Sequence, residues 1–306
     1  MKIAVVGLHW GHVHINAYRQ LGHEVSAVAD TDFEYCRKVA EQYGIPQAYA
    51  SVSELAGAGV DLVSLAVPAR CHYEVLEQAM KLGCAIICEK PVLGYRASDD
   101  LYARLSDKIY FNYAYPFLKD IDVFYGHIDA FESIKSINIE CLHNLQLNAE
   151  LTDEELFYET VSHLIALMVH KFPDIGSARR VDRHTIRART GSGTEVTVVC
   201  RKENSINGLR HTVKVEGSDE LILSGEYVVG SNWHYAPIIF NGNPVSEEYR
   251  PEEDPWYTAN KLSLGNAVRH FMNESGTEGT LRAGGFNLQK AMIVERILNC
   301  LKTQKF

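Results

Sequence analysis

Lys2-Ile3-Ala4-Val5-Val6-Gly7-Leu8-His9-Trp10-Gly11-His12-Val13-His14, read with Glu24-Val25-Ser26-Ala27-Val28-Ala29-Asp30, decides the fold. The apolar run over residues 2–6 ends on a glycine, the pattern of a buried strand that turns at Gly7. A helical pattern then runs from about His12 to Leu21 and stops at Gly22. Residues 24–29 form a second strand with Asp30 at its end. Strand, glycine turn, helix and second strand make up the repeating unit of a parallel α/β sheet.

The same alternation continues outward. Phe33 to Tyr43 reads as a helix closed by Gly44, and roughly Ala69 to Leu82 as another stopped by Gly83. Asp61 to Val67 and Ala85 to Cys88 are continuous apolar runs, as expected of strands covered on both faces. Ile109 to Asn112 completes a sheet of about six strands. Beyond residue 115 the pattern changes to strands near 131–140, 195–201, 211–215, 220–223 and 236–240, with helices near 153–171, 256–273 and 283–302. Asn207-Gly208 is a hairpin signal. The expected architecture is therefore α/β: a dinucleotide-binding Rossmann domain over 1–115, then an α+β domain over 116–306 built on a largely antiparallel sheet.

Composition bounds the function classes. The chain has 306 residues, 46% of them hydrophobic, and a net charge of −9 from 30 basic and 39 acidic side chains. That balance disfavours nucleic acid and anionic membranes as partners. The seven cysteines are scattered, with no CxxC pair, and read as reduced thiols. The N-terminus lacks the apolar core of a signal peptide, and no run approaches the roughly 18 apolar residues of a membrane span. A cytoplasmic location is expected.

The Gly7 turn carries the cofactor signal, because the start of a helix with bare backbone nearby accepts a pyrophosphate. If Gly7 is the first glycine of a GxGxxG fingerprint, His9 and His12 hold the other two places. In a loop one residue shorter, preferred here, Gly11 takes the third role. Either way His9 stands where backbone usually approaches the phosphates. Asp30 follows Gly7 by 23 residues, where a carboxylate can accept the ribose hydroxyls of NAD and repel the 2′-phosphate of NADP. Asp32 adds to that repulsion, and Arg37 and Lys38 leave NADP open. A capping role for Asp30 on the following helix is the plain alternative. His9, His12 and His14 lack the companions a metal site needs, so no metal is expected.

Cys88-Glu89-Lys90-Pro91 follows an apolar strand directly, so Lys90 emerges at the carboxyl edge of the sheet, where open α/β sheets bind ligands. Pro68 and His72 likewise follow a buried strand. Further on, Thr152 with Glu155 forms a capping-box pattern. The helix it opens has an apolar stripe of Phe157, Val161, Leu164, Ile165, Met168 and Phe172, with Glu159 and His163 sharing the opposite face.

The set of Gly11-x-x-His14, the Asp30 strand end, Pro68-x-x-x-His72, Glu89-Lys90-Pro91 and Glu159-x-x-x-His163 resembles the Gfo/Idh/MocA family of nicotinamide-dependent oxidoreductases. The likeness extends through His211 to Gly225 and the last two helices. It implies hydride exchange between NAD(P) and a carbinol carbon of a small polyhydroxylated molecule such as a sugar or cyclitol. It also implies a homo-oligomer, dimer or tetramer, formed through the C-terminal sheet. Carried over by position, the cofactor would lie on Gly7, His9, Trp10, Gly11, His12, Asp30, Thr31, Pro68, His72, Glu89, Lys90 and Asn112. Lys90, Glu159 and His163 would be catalytic, and Tyr115 would join them at the substrate. Imidazole suits a base working near neutral pH, and an ammonium stabilises an alkoxide. His234 and Trp256 are further pocket candidates.

Three departures stand out. Glu159 replaces the family's usual Asp, Ala114 stands where an Arg is frequent, and the glycine loop is altered. The last of these favours an alternative, a cofactor-binding regulatory or inactive member. Imine reduction is another.

Overall fold

The computed structural model describes residues 1–91, 104–118, 120–144, 153–248, 255–272 and 288–302. Thr152 and the side chains of Glu155, Phe157 and Trp256 lie outside the described residues. The described chain forms two compact units, Met1–Ala114 with Asn260–Met292, and Tyr115–Ala259 with Ile293–Phe306.

The first unit holds β1 (Lys2–Val6), α1 (Leu8–Gln20), β2 (Glu24–Ala29), α2 (Phe33–Tyr43), β3 (Gln47–Tyr49), β4 (Leu62–Leu65), α3 (His72–Met80), β5 (Ala85–Glu89) and β6 (Ile109–Asn112). All six strands are parallel, in the order β3-β2-β1-β4-β5-β6. The order reverses between β1 and β4, and such a switch point opens a ligand crevice at the carboxyl ends of the strands. β4 and β6 are buried along their whole length, which is why they read as unbroken apolar runs.

Two expectations change here. α1 begins at Leu8 rather than near His12, because Gly7 at φ +83° turns the chain from strand straight into helix. Leu8 to Gly11 are therefore the first turn of the helix and not a loop. The domain assignment also shifts, since Asn260 to Met292 group with the first unit. Within it, α6 (Pro255–Met272) sends Leu264, Ala267 and Val268 into the core formed by Ile3, Val5, Ile15, Tyr18 and Val28. Burying Leu264 or Val268 contributes roughly 1.5–3 kcal/mol each.

The second unit contains α4 (Ile121–Asp129), β7 (Ile134–His143), α5 (Asp153–Lys171), β8 (Gly176–Arg180), β9 (Thr185–Arg189), β10 (Glu195–Lys202), β11 (Gly208–Gly217), β12 (Glu220–Val228), β13 (His234–Tyr235), β14 (Ile239–Phe240) and β15 (Asn243–Pro244). Its nine-stranded sheet runs β15-β14-β12-β11-β7-β10-β9-β8, with β13 beside β12. Only the β7–β10 pair is parallel among those described. Asn207-Gly208 is not a hairpin turn: β10 and β11 each pair with β7, and the tight turn instead joins β11 to β12 through Ser218. Gly208 is required for another reason, since a Cβ there would lie 1.8 Å from the Tyr227 carbonyl oxygen.

Side-chain alternation gives the sheet two unlike faces. Ile137, Ile139, Cys141, Val196, Val198, Cys200, Leu209, His211, Val213 and Val215 are buried. α5 packs against β7 and β10. The opposite face carries ion pairs such as Arg201–Glu140 at 3.5 Å and Lys214–Glu220 at 2.8 Å. α5 itself is buried nearly all round, including Tyr158, Thr160 and Ser162. It is therefore not a helix with a solvated face behind its apolar stripe. Ser162 tolerates burial because its hydroxyl donates to the Glu159 carbonyl at 2.8 Å. α7 (Leu288–Lys302) ends the described chain.

Candidate active site

In the first unit the carboxyl ends of the strands gather most of the predicted residues. Gly7 leaves β1 so close to the end of β4 that a Cβ would stand 2.7 Å from Val67 Cγ1 and 2.8 Å from the Val67 nitrogen. Gly11 lies one helical turn on, where a Cβ would approach Val5 Cγ1 to 2.9 Å. Gly11 thus fills the helix-packing role of the shorter loop. α1 is capped by Gly7, which has no side chain, and carries no acid in its first turn. That end of the helix dipole suits an anion. His9, Trp10 and His12 are exposed on the same turn. The His9 ring stacks on Tyr35 at 5.0 Å, and His12 Nδ1 lies 2.9 Å from the His9 carbonyl.

Asp30 is half-buried at the end of β2. Its Oδ2 accepts the Leu8 N–H at 2.8 Å and its Oδ1 the Asp32 N–H at 3.0 Å. The cap of α2 is Asp32, which accepts from the Tyr35 N–H at 3.0 Å. Asp30 therefore joins the start of α1 to the β2 end, and each of its oxygens retains a lone pair. Thr31 and Pro68 are exposed beside these turns.

His72 is 1% exposed, with Nδ1 2.6 Å from the Pro91 carbonyl oxygen and Nε2 2.8 Å from that of Val67. Both ring nitrogens are occupied by backbone, so His72 braces the loop after β4 against the loop after β5. Glu89 and Asn112 are also buried, and their side chains face one another: Asn112 Nδ2 donates to Glu89 Oε1 at 2.5 Å and to Asn260 Oδ1 at 2.9 Å. His14 Nε2 reaches the same Glu89 oxygen at 2.9 Å, and its Nδ1 lies 2.8 Å from the Ser64 hydroxyl. Tyr18 Oη meets Ser64 at 2.8 Å. Burial pushes the Glu89 carboxyl up, but hydrogen bonds from His14 and Asn112 and the charge of Lys90 outweigh it and hold Glu89 below the usual carboxylate range. Lys90 follows, half-buried at the edge of the sheet.

In the second unit Glu159 and His163 are half-buried on α5, one turn apart. Tyr115, 4% exposed, packs edge-on against the His163 ring at 4.8 Å. Tyr115 Oη lies 3.4 Å from His211 Nδ1. His211 in turn touches the rings of Trp233 at 5.6 Å and Tyr235 at 5.8 Å. Gly225 makes room for this cluster, because a Cβ there would fall 2.6 Å from the Tyr235 ring. Burial raises the Tyr115 phenol well above its ordinary value and lowers His211 to about 4. Both are neutral near pH 7. His234 points elsewhere, to Glu226 at 3.3 Å. Reading the sequence missed His211, whose signal was its parity with Leu209, Val213 and Val215 on β11. The sequence singles out His14 only as part of Gly11-x-x-His14 and of the histidine cluster, without its role on the buried side of α1, one turn from Gly11 and Tyr18.

Among the described residues no three His, Cys, Asp or Glu side chains gather as metal ligands, and no helix is long and apolar enough to cross a membrane.

Residues 1–108 match the family model described as oxidoreductase family, NAD-binding Rossmann fold. The N-terminal domain belongs to the Gfo/Idh/MocA family. Within this family, D-apiose dehydrogenase of Paraburkholderia graminis is 34% identical over 80 residues, 26% of this chain and 21% of that protein. Inositol 2-dehydrogenase of Corynebacterium glutamicum is 33% identical over 96 residues, 30% of this chain and 28% of that protein. The matched segments thus span under a third of these curated relatives. The fold likeness is longer. The structure of myo-inositol dehydrogenase from Lactobacillus casei with NAD(H) and myo-inositol has a TM-score of 0.73 at 16% identity, covering 100% of this chain and 95% of that one. The UDP-N-acetylglucosamine 3-dehydrogenase of Acidithiobacillus ferrooxidans gives 0.72 at 17% identity, covering 98% and 96%.

Proposed function

We propose that the protein is an NAD(P)-dependent dehydrogenase or reductase that acts on a carbinol or carbonyl carbon of a small polyhydroxylated substrate, a cyclitol or sugar by analogy with its relatives. The observation that carries this reading is the carboxyl edge of the parallel sheet. There Gly7, with no space for a Cβ and no capping side chain of its own, opens α1 beside the Asp30 carboxylate, in a domain that matches an NAD-binding family. These residues fit the cofactor: the first turn of α1 would hold the pyrophosphate, Asp30 the adenosine ribose, and Lys90 the nicotinamide end. When bound, the nicotinamide supplies a two-electron hydride acceptor or donor.

The chain's own groups supply the rest. The Lys90 ammonium lowers the pKa of the reacting hydroxyl by stabilising its alkoxide. His163 exchanges the hydroxyl proton, with its ring orientation fixed by the edge of Tyr115. Glu159 stands one turn before it on the same helix, as a carboxylate beside the proton path. His211 stays neutral and serves Tyr115 rather than the proton. The charged outer face of the C-terminal sheet is the surface we assign to self-association as a dimer or tetramer.

Binding of NADH, read by nucleotide fluorescence, and turnover across a panel of cyclitols and sugars test the proposal. His163→Ala should keep NADH affinity within a few-fold, Lys90→Ala should weaken it, and each should lower kcat by about 10²–10⁴. Unchanged turnover in both would overturn the roles given to them. Tight NADH binding with no turnover across the panel would favour the regulatory alternative, for which the His9–Tyr35 stack over the start of α1 is the structural motive.

A further inference from the structure

Cys141 of β7 and Cys200 of β10 stand directly opposite each other in the parallel ladder. Paired residues on neighbouring strands share a face, and the strand spacing of about 4.8 Å lies inside the roughly 4.4–6.8 Å between Cα atoms that a disulfide spans. Both side chains are buried, at 0% and 1% exposure, and both are free thiols. Each thiol shifts the proton affinity of the other. The neighbouring rungs on this face are aliphatic, Ile139 with Val198 and Ile137 with Val196. The thiols are therefore the one reactive rung of that stretch. His143, next along this face of β7, borders the Cys200 sulfur, and Tyr115 lies beside both thiols.

We propose that Cys141 and Cys200 form a two-electron redox site, closing to a disulfide within the sheet when a peroxide reaches it and reopening with a thiol reductant. The pair is unsymmetrical. The neighbouring Cys141, helped by His143, pulls the Cys200 thiol down, while Cys200 and then burial push Cys141 up. Cys200 is thus the attacking thiolate and Cys141 the resolving thiol. The Cys200 sulfur attacks one oxygen of hydrogen peroxide, the O–O bond breaks, and hydroxide leaves to take up the thiol proton as water. The Cys141 sulfur then attacks the sulfenic sulfur, forming the S–S bond as the S–O bond breaks and a second water departs. Two thiols and one peroxide give one disulfide and two waters, with two electrons passing from sulfur to oxygen.

The test treats the full-length folded protein with hydrogen peroxide, blocks remaining thiols with N-ethylmaleimide in denaturant, and maps the cysteines by tandem mass spectrometry. The expected result is a 141–200 linked peptide pair lighter by two hydrogens, with alkylation of both cysteines lowered about tenfold and restored by dithiothreitol. In Cys200→Ala, Cys141 should remain alkylated at the same dose. Full alkylation of Cys141 and Cys200 in the wild type, at a dose that oxidises the half-exposed Cys71 and Cys84, overturns the proposal. So does loss of Cys141 alkylation in the variant.

Discussion

The pH dependence of stability should reveal His211. Its ring is 1% exposed and sits among Tyr115, Trp233 and Tyr235, where burial lowers its pKa from 6.5 to about 4. In the unfolded chain the same imidazole takes up a proton below about pH 6.5, whereas the folded protein resists until about pH 4. The unfolded state therefore binds more protons in this window, and stability falls as the pH is lowered through it. At about 1.4 kcal/mol per pKa unit the full loss is on the order of 3 kcal/mol, of which about 2 kcal/mol has gone by pH 5. Because the group is fully buried, solvent screening takes little from this figure. Urea denaturation of wild type and His211→Gln at intervals from pH 7.5 to 4.5 isolates the contribution, since the other histidines act equally in both. The variant should be less stable at pH 7.5, and the gap between the two should narrow by about 2 kcal/mol at pH 5. Parallel curves across that range would refute a neutral, buried His211.

Three further outcomes follow from the first unit. Gly7→Ala forces a Cβ against the backbone of Ala66 and Val67 at φ +83°, so it should lower Tm by several degrees and NADH affinity at least about tenfold, checked by scanning calorimetry and fluorescence titration. Asp30→Ala removes the proposed ribose acceptor together with the acceptor of the Leu8 N–H, and should shift the ratio of NAD to NADP affinity about tenfold toward NADP, read by competition binding. Glu89→Gln removes the charge facing His14 and should cost about 2–3 kcal/mol at pH 7 by chemical denaturation. Because the Glu89 carboxyl is held down in the folded state, that difference should shrink as the pH falls below the ordinary carboxylate range.

The strands of the first unit were legible because burial on both faces writes them as apolar runs bounded by glycines. β3 was not, since Gln47-Ala48-Tyr49 is half-buried at the sheet edge and has no such run. β9 is hidden too, because in Thr185-Ile186-Arg187-Ala188-Arg189 only Ile186 is buried and no apolar run marks the strand. The parallel pairing of β10 with β7 joins segments more than fifty residues apart, and nothing local in either strand encodes it. Of the candidate site, the turn residues Gly7, Gly11 and Asp30 were legible because backbone geometry demands their types. His72, Glu89 and Asn112 stood out by motif, yet their side chains are spent on one another and on backbone. No spacing rule separates a residue that touches a ligand from one that holds the loop beneath it.

That distinction gives the buried network its meaning. Tyr18, Ser64, His14, Glu89, Asn112 and Asn260 form one hydrogen-bonded chain through α1, β4, β5, β6 and α6. An apolar core would join those elements at less desolvation cost, and burying a carboxylate for stability alone is a poor bargain. What an apolar core lacks is direction: each hydrogen bond here fixes one strand end relative to the next within a few tenths of an ångström. The carboxyl ends of β4, β5 and β6 are the edge from which Lys90 emerges, and Lys90 is the residue directly after Glu89. The proposed hydride transfer would tolerate little misplacement of its partners. The network therefore lies where positional accuracy matters most, and the stability of the domain can rest on the aliphatic residues around it.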